Sequence, residues 1–143
     1  MSIECKISSF VKALENNNLK TCEEIMLSIN IKLYGHILSS FICNSGNYNL
    51  MIILLNLGLD VNHEDILGYF PLITATEYGH LNIIKLLIKN GADIDKKSKS
   101  KETAIGIAYK FKHYNIVKFL VVSHANIDDI DKFNNSLIGK GMY

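Results

Sequence analysis

Residues 68–95 read GYFPLITATEYGHLNIIKLLIKNGADID, and shifting the chain against itself by 33 positions lays this segment over two degraded copies of itself. Moving forward, Ala75 falls on Ala108, His80 on His113, Ile83-Ile84 on Ile116-Val117, Leu86-Leu87 on Phe119-Leu120, and Ala92 to Asp95 on Ala125 to Asp128. Moving backward, Gly68 falls on Gly35, Gly79 on Gly46, Ile83-Ile84 on Leu50-Met51, Gly91 on Gly58, and Asp93 to Asp95 on Asp60 to Asn62. A fixed interval held across three copies without a gap specifies a stacked solenoid, in which each unit covers the apolar face of its neighbour.

Helical spacing explains each part of the best copy. Pro71 suits the first helical turn, where a missing N–H costs nothing, and Leu72, Ala75 and Thr76 then share one short face with small residues at the close contact. Gly79 ends that helix. Ile83, Ile84, Leu86, Leu87 and Ile88 make the next one apolar around much of its circumference, with Lys85 and Lys89 on the solvated side and Gly91 as its stop. The same reading predicts inner helices near 37–45, 70–78 and 104–111 and outer helices near 49–57, 82–90 and 115–123.

These residues resemble the ankyrin repeat, whose pattern runs through a Gly-x-Thr-Pro-Leu helix start, an Ala-rich inner helix, Gly-His, a paired-aliphatic outer helix and Gly-Ala-Asp. Residues 35–128 carry the pattern, the copy at 65–95 most fully. The resemblance implies an all-α ankyrin-repeat solenoid of stacked antiparallel helix pairs with projecting finger loops. One domain spans 1–143: a divergent capping helix pair at 1–34, repeats at 35–67, 68–100 and 101–133, and a partial repeat or cap at 134–143. Departures from the pattern mark weak points. Lys101 and Asn134 stand where a turn glycine is expected, as do Lys112 and His124 at helix ends. A non-glycine residue in left-handed geometry costs about 1–2 kcal/mol. Thr103 and Ser136 can cap their helices through hydroxyls, whereas Phe70 and Ile37 cannot. The array is expected to be moderately stable and weakest toward its C-terminal end.

Composition narrows the function classes. The net charge of +1 and pI near 7.7 provide no field that would draw the chain to a polyanion or an anionic membrane. All fifteen basic residues are Lys, so the planar fork that reads guanine and grips phosphate is missing. Cys5, Cys22 and Cys43 show no Cys-x-x-Cys pairing and are expected to be buried, reduced thiols. The N-terminus lacks a secretory pattern and no apolar stretch approaches membrane-spanning length, which predicts a cytoplasmic location, with host cytoplasm or nucleus included.

No catalytic constellation emerges, and the chain reads as a non-enzyme without cofactor, metal or small-molecule substrate. Gly-x-Ser-x-Gly, Gly-x-x-x-x-Gly-Lys-Ser/Thr and Gly-x-Gly-x-x-Gly are all absent. His36, His63 and His124 sit on expected turns without His-x-x-x-His spacing. By the resemblance, His80 and His113 are structural, their rings satisfied by backbone groups at the inter-helix turn.

What remains is the finger tips and the side chains beside them. Tip 63–65 is His-Glu-Asp, tip 96–101 is KKSKSK and tip 128–131 is Asp-Asp-Ile-Asp, so a Lys-rich loop lies between acidic ones, held by cross-finger attraction or facing an acidic partner. The resemblance implies partner binding on the concave side, at Tyr34 and His36; Ile66, Leu67, Tyr69, Glu77 and Tyr78; Lys99, Ser100, Glu102, Lys110 and Phe111; Lys132, Phe133 and Asn135. Tyr34, Leu67 and Phe133 share one repeat position, and Tyr78 and Phe111 another. Leu67 and Phe133 either present themselves to a partner or pack against adjacent fingers.

The expected function is a monomeric intracellular protein–protein interaction module that holds or masks a partner protein, without nucleic acid or membrane. Its composition and degenerate repeats look like the ankyrin-repeat proteins of large DNA viruses, of poxvirus or mimivirus type, where the family implies host proteins as partners. The chain ends before an F-box-like segment would fit, which favours masking over ligase recruitment. The alternatives are a truncated remnant without a partner and a non-catalytic subunit of a signalling or ubiquitin-ligase complex.

Overall fold

Eight helices in chain order account for most of residues 1–130, the part of the chain that the computed structural model describes. They are α1 (Ile3–Glu15), α2 (Leu19–Leu27), α3 (Ile31–Ser45), α4 (Tyr48–Asn56), α5 (Pro71–Glu77), α6 (Leu81–Lys89), α7 (Ala104–Lys110) and α8 (Tyr114–Val122). Residues 128–130 add a helical turn, and there is no strand among the described residues. Expectations for Asn134, Ser136, the partial repeat and the candidates Lys132, Phe133 and Asn135 lie outside the described residues.

Consecutive helices pair, and the pairs stack in sequence order. α1, α3, α5 and α7 adjoin one another as an inner layer, while α2, α4 and α6 form an outer layer and α8 closes on α7. The core is continuous through the stack. Phe10 and Met26 fill the first pair, Leu38, Ile42, Leu50, Met51 and Leu54 the second, Leu72, Ile73, Ile83, Ile84 and Leu87 the third, and Ile105, Ile116 and Leu120 the fourth, all essentially without solvent contact. Ala75 and Ala108 are fully buried one repeat apart, the small side chains that let inner helices approach.

Local chemistry sets most helix starts. The Asn18, Asn30 and Asn47 side chains accept from the backbone N–H groups of Thr21, Leu33 and Leu50, and Ser2 does the same for Cys5. Thr103 Oγ1 accepts from Gly106 N–H at 3.4 Å, the cap expected of it. Phe70 offers no side-chain cap, and Pro71 follows at the first helical position. Lys101, Lys112 and His124 hold φ of 62°, 62° and 67°, the left-handed geometry inferred from the missing glycines.

Two sets of contacts lock the register between repeats. His80 Nε2–H donates to the Asn44 carbonyl at 3.0 Å, and His113 Nε2–H to the Glu77 carbonyl at 3.1 Å, so each imidazole ties its helix pair to the preceding inner helix. On the loops, Asn62 Oδ1 accepts from Asp93 N–H and Asp95 Oδ1 from Asn126 N–H, each at 2.8 Å. One motif therefore recurs along the stack, with each finger base hydrogen-bonded to the next.

The first repeat departs from the periodic expectation. Helix α3 begins at Ile31 rather than near 37, because Asn30 caps it and only residues 28–30 connect it to α2. Gly35 is thus a buried helical residue and no turn glycine; a Cβ there would lie 2.8 Å from Ile31 Cγ2 and 3.2 Å from Leu59 Cδ1. The missing cap at Ile37 loses its meaning inside a helix. Cysteine burial also needs one correction: Cys22 and Cys43 are buried, but Cys5 is exposed, and all three are free. Burial pushes the Cys43 thiol up to about 12, and its Sγ–H meets the Pro71 carbonyl at 3.6 Å.

Candidate functional site

Three shallow hollows adjoin along the inner layer and share their walls. One of about 310 Å³ lies between α1 and α3, lined by Val11, Leu14, Glu15, Phe41, Asn44 and Ser45. The next, about 290 Å³, runs from Phe41 and Asn44 to Asp65, Tyr69, Thr74, Glu77 and Tyr78. A third, about 180 Å³, passes from Tyr69 and Glu77 to Leu67, Ser98, Ser100, Glu102, Lys110 and Phe111. Phe41 and Asn44 belong to two of them, as do Tyr69 and Glu77, so the strip is unbroken from α1 to α7.

Rigid elements present its aromatic residues. Tyr78 and Phe111 follow the last turns of α5 and α7 at the same repeat position and are 48% and 47% exposed. The Phe111 ring stacks on His113 at 6.3 Å, and the Lys110 ammonium lies 5.8 Å from its centroid. Tyr69 is 44% exposed on a finger whose tip is pinned by Asp65, its Oδ1 accepting from Leu67 and Tyr69 N–H at 2.8 and 2.9 Å. Half-exposed rings on fixed backbone offer contact area at small entropic cost.

Of the residues singled out from sequence, the structure gathers Leu67, Tyr69, Glu77, Tyr78, Ser100, Glu102, Lys110 and Phe111 along this strip. Ile66 and Lys99 stand at its finger-tip rim, where the Lys99 ammonium donates to the Ile66 carbonyl. Leu67 is 67% exposed and so does not pack into a neighbouring finger. Tyr34 and His36 do not join the strip. Both lie inside α3, where Tyr34 packs partly buried against the core, so it shares no finger position with Leu67. His36 lines a separate hollow with Ile31, Lys32, Leu59, Asp60 and His63, its ring 4.9 Å from that of His63. Burial, and then the neighbouring His63, lower the His36 pKa against an opposing pull from Asp65.

Phe41, Asn44, Ser45, Thr74, Val11 and Leu14 line the strip without having been singled out. A signal for Asn44 and Ser45 was present: they stand 33 positions before Glu77 and Tyr78. Val11 and Leu14 belong to the divergent first pair, which the repeat register does not reach.

Charge on the fingers is partly consumed by the fold. Lys96 pairs with Glu64 at 2.8 Å and lies 5.2 Å from the Phe70 centroid. The expected acidic tip at 128–131 is instead helical at 128–130, with Asp129 accepting from Thr103 N–H and Oγ1–H at 3.0 and 2.5 Å. Cross-finger attraction thus engages Lys96 but leaves Lys97 and Lys101 without an ion pair to any described residue.

Among the described residues, no group of three His, Cys, Asp or Glu is placed to hold a metal, and no helix is long and apolar enough to cross a membrane. Comparison with curated proteins returns no match. A family model described as ankyrin repeats (3 copies) matches residues 9–98 and 36–132. Those spans run from within α1 to beyond α8 and take in the His–carbonyl ties between helix pairs and the fingers before α5 and α7, and the chain belongs to the ankyrin-repeat family.

Proposed function

We propose that this chain is a non-catalytic interaction module that holds or masks a partner protein along the strip from α1 to α7. Ankyrin repeats are in general protein–protein interaction modules, and membership of the family supports the coarse reading. The finer one rests on a single observation. Tyr69, Tyr78 and Phe111 stand half exposed, on backbone fixed by packing and hydrogen bonds, around hollows that share walls across repeats. In this reading the chain acts as a monomer in the cytoplasm, and the resemblance to viral ankyrin-repeat proteins makes a host protein the partner.

Quantitative affinity capture from cytosol tests the reading. Native chain is compared with a Tyr69→Ala, Tyr78→Ala, Phe111→Ala variant and with a control carrying Tyr48→Ala and Tyr114→Ala, two exposed rings on outer helices. Proteins retained by native and control chains but lost from the first variant support it. Identical retention by all three, with folding verified by circular dichroism, sinks it.

A further inference from the structure

The tip joining the fingers before α5 and α7 combines two features that the fold does not use. Ile66 and Leu67 project side chains that are 89% and 67% exposed, an unusual display of aliphatic surface at one point. Across them lies Lys99, whose stem crosses the face of Gly68 where a side chain would sit, and whose ammonium donates to the Ile66 carbonyl at 2.5 Å. That acceptor is neutral. The ammonium is therefore held in place while no carboxylate among the described residues pairs with it, and Lys97 and Lys101, on the same loop, add two more charges without an ion pair to any described residue. The acidic groups nearby are already engaged, Glu64 by Lys96 and Asp65 by the N–H groups of its own turn.

We infer that this tip docks an acidic segment of the partner protein, an aliphatic or aromatic residue seating on Ile66 and Leu67 with an adjacent Asp or Glu carboxylate on Lys99. The inference rests on the proposed strip as the binding surface and adds the chemistry of what occupies its rim. A positioned ammonium beside open apolar surface favours a carboxylate flanked by an apolar side chain, since the charge sets approach and register while the burial supplies affinity. Polyphosphate is disfavoured. The chain has no Arg, and Glu77 lines the adjoining hollow, where it repels a continuous anionic backbone, while Lys110 there is paired with Glu102 at 3.7 Å.

The test presents the full chain to an array of synthetic peptides that share an apolar core and differ in their flanks, Asp/Glu, Asn/Gln or Lys, with a single-stranded RNA homopolymer alongside. Acidic peptides are expected to bind best, with affinity that falls as salt rises. Lys99→Met keeps the stem over Gly68 but removes the charge, and is expected to weaken the acidic peptides about threefold to tenfold while leaving the Asn/Gln series unchanged. Lys20→Met on α2 should do neither. If Asn/Gln or Lys peptides bind as well as acidic ones, and Tyr78→Ala still weakens them, the acidic assignment is overturned and the strip stands. Tighter binding of RNA, lost in Lys99→Met, overturns it in favour of nucleic acid. Failure of every peptide to bind overturns it outright, and the capture experiment with the triple variant then decides separately whether the strip itself survives.

Discussion

Gly46→Ala offers the sharpest test of how the repeats are coupled. Gly46 ends α3 at φ +75°, and a Cβ built there lies 2.5 Å from His80 Cε1 and 2.6 Å from Nδ1. The methyl must displace the imidazole that reaches back to Asn44. Left-handed backbone costs an alanine about 1–2 kcal/mol, and loss of the His80–Asn44 hydrogen bond about 1 kcal/mol more, for a total of about 2–3 kcal/mol. At this chain length, with about 3–5 °C of Tm per kcal/mol, the midpoint should drop by about 6–15 °C. Gly58→Ala is the matched control, because Gly58 has φ +99° and nothing within 4 Å of its virtual Cβ, so only the backbone cost applies. A double-mutant cycle with His80→Ala completes the assay by urea denaturation. Removing the ring relieves the clash, so the double variant should lose at least about 1 kcal/mol less than the sum of the single variants. Equal losses for Gly46→Ala and Gly58→Ala, or additive single effects, would show that His80 does not clamp one repeat to the next.

Three further outcomes follow from the same structure. Lys112→Gly, which relieves a left-handed lysine at φ 62°, should raise the urea midpoint by an amount worth about 1 kcal/mol; an unchanged or lowered midpoint contradicts it. Phe70→Thr restores a capping hydroxyl worth about 1 kcal/mol but deletes a ring only 3% exposed, worth about 3–5 kcal/mol, so thermal melts should show net destabilisation of about 2–4 kcal/mol. His36 carries the acid sensitivity. Its folded pKa lies below the ordinary 6.5, so the neutral form is favoured in the native state; this contribution is complete above pH 6.5 and is lost as pH falls through the lowered value. The urea midpoint should therefore decline from neutral to mildly acidic pH less steeply in His36→Gln than in the native chain, and equal slopes would remove His36 from the account.

Much of the architecture was legible because burial repeats. Paired aliphatics recurring at a fixed interval located α4, α6 and α8 within a residue or two, and missing glycines foretold the left-handed Lys101, Lys112 and His124. Periodicity misled where one residue type serves two purposes. Gly35 matches Gly68 by position, yet it is small so that Leu59 can pack on α3, while Gly68 makes room for the Lys99 stem. The helix start belonged to Asn30, a capping signal outside the repeat pattern, and missing it put Tyr34 and His36 on a finger that the three-residue link between α2 and α3 cannot form. The candidate strip was legible where the register carried it, at Glu77 and Tyr78 and again at Lys110 and Phe111. It was hidden at Phe41, whose counterparts Thr74 and Ile107 share neither its size nor its aromaticity, and at Val11 and Leu14 in the pair outside the register. The division of the Lys loop into a paired Lys96, a carbonyl-bound Lys99 and neighbours without an ion pair to any described residue depends on distances that spacing alone does not encode.

Recognition along the inner-helix strip can be read out by site-specific photo-cross-linking. A photoreactive phenylalanine analogue is placed at Phe111 on the strip or at Tyr114, the exposed first residue of α8, three residues away in sequence and outside the lining of the strip. If partners bind along the strip, a captured partner cross-links from position 111 and not from 114. Cross-linking from 114 alone would contradict it.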